Sequence, residues 1–443
     1  MTEHPASPSE RAPDTRAVRG EILYFTGEPA ALGDAAIAHF PDGLLLVRGG
    51  RIDAVGPAAE LLPRLPSGAP LHDYRGKLIL PGFIDTHIHY AQVDVIASPG
   101  EQLLNWLQKY TFPAEARFAD PQHAAAAADF FCGELLRNGT TTALAFATVH
   151  PGSADALFAA AHRRRMRMIT GKVLMDRHCP PGLCDTGTTG EAESRALIER
   201  WHGRDRLLYA VTPRFPATSS AEQMRAAGRL FAEHPGLYLQ SHLAENRQEV
   251  AWIARVHPEA RSYLDVFSRF GQLGPRSVFA HCIWIDDEDR ERMAGTGAAI
   301  SFCPTSNLFL GSGLFDLERA RAHGVRIGIG TDVGAGTSFS MLQTLGEAYK
   351  VLQLQGQALG AAQAFYLATL GGARSLYLDG RIGSLAPGCE ADFVVLDPAA
   401  TPLVARRIAG CATLAERLFV FMTLGDDRAV LATHVLGEPA WRR

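Results

Sequence analysis

Between Phe83 and Gly334 the chain returns again and again to short, almost continuously apolar runs. Eight of them stand out: FIDTHIH, TTALAFAT, RMITGKVLMD, LLYAVTPRF, YLQSHLAE, VFAHCIW, AAISFCPTSN and RIGIGTDVG. Between most of these runs, apolar residues recur at three- and four-residue spacing, as in HAAAAADFFCGELLRNG and AEQMRAAGRLFAEH. That is the period of an amphipathic helix. Strands apolar on both faces and alternating with helices predict a parallel sheet. Eight such units over roughly 260 residues match a (β/α)8 barrel of the TIM type.

The flanks follow another pattern. From Gly20 to Lys77 the runs EILYFTG, DGLLLVRGGRIDAVG and APLHDYRGKLILPG read as strands, with RGGRI carrying the turn glycines of a hairpin. Their counterpart lies far away, in GRIGSLAPGCEADFVVLDP and AVLATHVLGEPAW. The expected architecture is therefore α/β, a barrel over residues 78–378 with a small β-sandwich domain formed by residues 20–77 and 379–443. Residues 1–19 are polar and Pro-rich without an apolar h-region, and read as a disordered leader, not a signal peptide.

Composition narrows the function classes. The formal net charge is −4 with both signs mixed, which argues against a nucleic-acid surface and against a polybasic membrane patch. No apolar run reaches transmembrane length. Seven cysteines, an odd number with no C-x-x-C pair, argue against a disulfide framework and against a cysteine-based zinc site. A reduced, cytoplasmic chain is the expectation.

The ionisable residues sit where a barrel would use them. His87 and His89 end the first strand, Arg214 the fourth, His242 the fifth with Glu245 just beyond, His281 the sixth and Asp332 the eighth. All would converge on the C-terminal mouth, where barrel active sites lie. Residues i and i+2 of a strand share a face, so His87 and His89 can meet one metal ion. An H-x-H pair alone is a weak signal, more often two ordinary histidines, one exposed and one hydrogen-bonded in a core. With His242 and Asp332 it becomes a set of three imidazoles and one carboxylate, which suits a single catalytic zinc. Glu245 is placed to shuttle protons beside a metal-activated water. Its bland alternative is a helix N-terminal carboxylate complementing the dipole. His281 is assigned to orienting the water and sharing its proton with Asp332. Lys172 lies inside the third strand, not at the end of the fourth, where a carbamylated lysine would bridge two metals. It is expected in an ion pair with Asp176 or Asp85.

PGFIDTHIHYAQ, SHLAE, FAHCIW and GIGTDVG resemble the amidohydrolase superfamily, and GSLAPGCEADFVVLD resembles its C-terminal signature. THIHYAQVDVIASPGEQLLNWLQKYTFPAEARFAD, VTPRFPATSS, SHLAENRQEV and SFCPTSNLFLGSGLF are similar to the guanine deaminases within it. The resemblance spans about Pro81 to Gly336. It implies zinc, one per subunit, on His87, His89, His242 and Asp332, and a purine surrounded by His89, Gln92, Arg214, Phe215, His242 and Asp332. It also implies a homodimer and deamination of guanine to xanthine and ammonia in purine catabolism. Glu245, His281 and Asp332 would be the catalytic residues.

The chemistry agrees with those residue types. Arg214 offers forked donors for a carbonyl oxygen and a ring nitrogen. The Gln92 amide both donates and accepts, and Phe215 supplies an apolar wall. Trp106, Tyr110 and Phe112, in the long loop from Tyr90 to Asp120, are lid candidates or simple loop packing. One rival is a related amidohydrolase acting on cytosine, adenine or a triazine, which would share the zinc residues. Another is a non-catalytic barrel homologue, against which the intact ligands and Glu245 argue. The paired H-x-E and P-C-x-x-C signature of the cytidine-deaminase fold does not occur.

Overall fold

The computed structural model describes residues 15–234 and 236–443, so residues 1–14 of the expected leader lie outside the described residues. The rest of that leader is strand. β1 (Thr15–Phe25) begins inside it, followed by β2 (Ile37–Arg48), β3 (Arg51–Pro57) and β4 (Leu71–Pro81). The leader's end reads as polar because Arg16 and Arg19 are charged. Both are paired with distant residues, Arg16 with Glu438 and Arg19 with Asp42, while Ala17 and Val18 between them are fully buried.

The barrel strands are β5 (Phe83–His89), β6 (Thr140–Phe146), β7 (Arg167–Gly171), β8 (Val173–Leu174), β9 (Leu208–Pro213), β10 (Tyr238–Leu243), β11 (Ser277–His281), β12 (Ala299–Phe302) and β13 (Arg326–Ile329). They pair in the order β5-β6-β7-β9-β10-β11-β12-β13, with β8 on β9. Every recorded pairing is parallel. The eight apolar runs are thus the eight staves, the third one broken at Lys172 into β7 and β8. The barrel closes between β13 and β5 through Asp332 N–H to the His87 carbonyl (2.9 Å) and His89 N–H to the Val333 carbonyl (2.8 Å). Gly330 permits this approach, since a Cβ there would lie 2.8 Å from the His87 carbonyl oxygen.

β14 (Phe393–Leu396), β15 (Val430–Val435) and β16 (Glu438–Arg442) complete a second, seven-stranded sheet of order β16-β15-β14-β4-β1-β2-β3. It is mixed, with β1 antiparallel to β2 and parallel to β4. Both flanks of the sequence meet at the β14–β4 pairing.

One apolar layer fills the barrel floor. Ile84, Leu144, Ile169, Ala210, Tyr238, Val278 and Ala299 come from seven successive staves, closed beneath by Ala373, Leu376, Leu378 and Ile382. Above this layer the interior turns polar, with Thr86 bonded to Ser301 and Gln240 to Thr212, and the ionisable residues follow at the upper strand ends.

Two expectations are corrected. Cys179 and Cys184 form a disulfide with Cα atoms 5.8 Å apart, so the chain is not free of disulfides. The bridge joins cysteines five positions apart in sequence, where Pro180 and Pro181 turn the chain; it is a local clip, not a framework. Lys172 pairs with Asp185 (2.5 Å) and Glu193 (3.0 Å), not with Asp176 or Asp85. Asp176 instead binds Ser220, and Asp85 binds Thr331. No helix among the described residues is long and apolar enough to cross a membrane.

Candidate metal centre and active site

Four donor atoms meet above the barrel floor. His89 Nε2 is 3.2 Å from His87 Nε2 and 3.2 Å from His242 Nε2. Asp332 Oδ1 is 3.2 Å from His87 Nε2 and 3.3 Å from His89 Nε2. With zinc–nitrogen bonds near 2.0–2.1 Å, the edge of a tetrahedral ligand set is about 3.4 Å. The four separations lie close to that edge. His242 Nδ1 faces the Arg214 backbone carbonyl at 2.8 Å. A carbonyl only accepts, so Nδ1 carries the proton and the Nε2 lone pair points into the site.

The electrostatics favour the ligand forms. Burial pushes His89 down to about 3, and burial with the neighbouring imidazoles holds His242 well below the usual range. Both are neutral at neutral pH. Burial opposes ionisation of Asp332, but the facing His87 and His89 outweigh it and hold the carboxyl well below the ordinary carboxylate value. Asp85, which accepts from His87 N–H (3.1 Å) and from the Thr331 hydroxyl (2.6 Å), ties β5 to the segment bearing Asp332. Cys303 also lies near His87 and Asp332. Burial pushes its thiol well up, and its Sγ faces the Ser301 carbonyl at 3.4 Å.

Glu245 and His281 stand beside this cluster. Glu245 Oε1 accepts from the Ser312 hydroxyl (2.9 Å), and Oε2 faces His281 Nε2 at 3.4 Å. Burial first, then the charge of Asp332, pushes Glu245 up to about 8. The Asn246 turn that presents it is an N-cap box, with Glu249 accepting from Glu245 N–H (2.9 Å) and from Tyr263 (2.7 Å). His281 Nδ1 meets Asn307 Oδ1 at 2.8 Å, leaving Nε2 without a partner and 3.8 Å from Asp332 Oδ2. His281 and Asp332 both have positive φ, 70° and 51°. Such backbone costs roughly 1–3 kcal/mol per residue and recurs at functional sites.

A cavity opens from these groups, lined among others by His89, Gln92, Arg214, Phe215, His242 and Asp332. All the sequence-expected substrate residues thus share one wall system. Arg214 does not stand free. Its guanidinium is 2.7 Å from Glu115 Oε2, both side chains almost fully buried. Breaking such a pair by removing one partner typically costs about 3–5 kcal/mol. The expected long loop is helical over Leu103–Trp106, Leu107–Thr111 and Phe112–Ala116. Leu103, Trp106, Leu107 and Thr111 line the cavity, and Phe112 lies under the Arg214 guanidinium at 5.3 Å. Tyr110 packs on Trp106 without lining it. Glu115, Asn307, Ser312 and Glu249 were not singled out from sequence. Only the last carried a readable signal, the Asn-x-x-Glu spacing of a capping box.

Residues 78–440 match the amidohydrolase family. The chain is 51% identical to the guanine deaminase of Escherichia coli (strain K12) over 431 residues, 97% of this chain and 98% of that protein. The solved structure of E. coli guanine deaminase superposes with a TM-score of 0.95, covering 97% of this chain and 100% of the other. A guanine deaminase structure from C. acetobutylicum with bound guanine in its active site gives a TM-score of 0.86 at 29% identity, covering 96% and 99%. The chain belongs to the amidohydrolase family and, within it, to the guanine deaminases.

Proposed function

We propose that the protein is a hydrolase of a cyclic amidine C–N bond that converts guanine and water to xanthine and ammonia, serving purine catabolism. One observation carries the reading. The acid-base pair Glu245 and His281 shares a single cavity with the polar wall of Arg214 and Gln92. The metal cluster is common ground for the whole family, whereas that wall matches a purine edge.

His87, His89, His242 and Asp332 are proposed to hold one zinc ion per subunit, and when bound it would lower the pKa of water towards neutrality. Asp332 and His281 are placed to take the proton of the attacking water, His281 through its free Nε2. Attack at the ring carbon bearing the amino group places negative charge on the neighbouring ring nitrogen. Glu245, protonated in its buried position, donates there. The proton taken from the water is then returned to the departing amine, which leaves as ammonia, and the hydroxyl proton passes to Glu245 as the xanthine carbonyl forms, restoring the acid. Arg214 holds the carbonyl oxygen and a ring nitrogen, Gln92 the adjacent N–H, and Phe215 and Trp106 cover the ring.

Metal-analysed protein offered guanine, adenine, cytosine and a triazine is expected to release ammonia from guanine and form xanthine. Turnover of another ring with no ammonia from guanine would overturn the assignment. Arg214→Ala is expected to raise the guanine KM roughly ten- to hundred-fold, the value of a charge-assisted hydrogen bond. Metal content should be unchanged; an unaltered KM removes Arg214 from the substrate contacts.

A further inference from the structure

Glu115 does not line the cavity, yet it joins the two polar groups that do. Its Oε2 takes the Arg214 guanidinium at 2.7 Å, and its Oε1 takes the Gln92 side-chain amide at 3.2 Å. It is 1% exposed and rides on the helical turn Phe112–Ala116, whose Phe112 ring lies under the same guanidinium. The bonding chemistry settles how Gln92 is turned. A carboxylate held against a guanidinium only accepts, so the end of the Gln92 amide that faces it is the NH2 group. The carbonyl oxygen takes the other side, where its one protein contact is a long one, Gly334 N–H at 3.4 Å. It keeps acceptor capacity for a group in the cavity. Arg214, with one N–H committed to Glu115, keeps its remaining donors.

We propose that Glu115 is a positioning residue that sets purine specificity. It holds Gln92 with its carbonyl, and Arg214 with its donors, towards the cavity. The site then accepts an edge presenting N–H beside C=O and rejects the inverted edge, an unprotonated ring nitrogen beside an amino group. Without the carboxylate the Gln92 amide is free to turn over and serve either edge. This inference rests on the purine reading given above, and the test separates the two.

Guanine turnover by the wild-type protein is measured first; its absence counts against the purine reading itself. Hypoxanthine and adenine then serve as competitive ligands, since neither carries the 2-amino group and they differ at the edge in question. The wild-type protein is expected to favour hypoxanthine. Glu115→Gln should lower that preference by roughly ten-fold or more, as expected when a site built for one hydrogen-bonding pattern loses it. It should also raise the guanine KM far more than it lowers kcat. Glu115→Asp keeps the charge for Arg214 but is one methylene short of reaching both partners. It should move the preference in the same direction by less, and it carries the test if the Gln variant does not fold. A merely structural role predicts a lower melting temperature with the preference intact. An unchanged hypoxanthine-to-adenine ratio in a folded variant, or loss of kcat at constant KM, overturns the proposal.

Discussion

Glu245→Gln is expected to retain its metal and lose kcat by roughly 10²–10⁴-fold, the usual worth of a positioned general acid-base group. The carboxyl accepts from Ser312 through Oε1 and faces His281 through Oε2. It stands beside the four-atom cluster without entering it, so its removal should not empty the metal site. Glutamine keeps the shape and a carbonyl for Ser312 but has no proton to give. Burial and the Asp332 charge hold the wild-type group at about 8, and a cation on the neighbouring ligands would draw it lower. The acid form is the competent one. Wild-type turnover should therefore fall as pH rises through a value at or below about 8, and the variant should lack that limb. Elemental analysis with a pH profile decides the matter. Metal loss in the variant would place Glu245 among the ligands and defeat the shuttle assignment.

The legible and illegible parts of this site differ in where they sit on the fold. The staves of a parallel barrel are buried on both faces, so each appears as an apolar run. The residue that ends a run is then a residue at the mouth. That logic places His87, His89, Arg214, His242, His281 and Asp332 without any tertiary information. Glu115 defeats it. In PAEAR it looks like an exposed helical glutamate, and only the docking of residues 103–116 over the mouth buries it against Arg214. Asn307 sits in the short helix Pro304–Phe309 after β12 and Ser312 just beyond it, and their approach to Glu245 and His281 has no periodicity to betray it. Lys172 was misassigned for the same reason. Its partners Asp185 and Glu193 both follow the loop clipped by Cys179 and Cys184, a path the strand pattern does not encode.

Chelating the metal, or replacing Asp332 by Ala, is expected to abolish turnover and to lower the melting temperature. With the ion gone, the lone pair of His242 Nε2 lies 3.2 Å from His89 Nε2, itself 3.2 Å from His87 Nε2. A single proton can bridge one such pair, but only a cation satisfies three imidazoles and a carboxylate together. An ion that binds the folded chain alone stabilises it by RT ln(1 + [L]/Kd), about 4 kcal/mol at a thousand-fold excess over Kd. At about 2.1 cal/mol/K of unfolding entropy per residue, that is roughly 4 °C for a chain of 443 residues. Activity and melting temperature should fall together on chelation and return together when zinc is restored, whereas Asp332→Ala should recover neither. Turnover that persists in protein shown by elemental analysis to be metal-free would remove the cluster from the chemistry. A fall in melting temperature without loss of activity would make the ion a structural one.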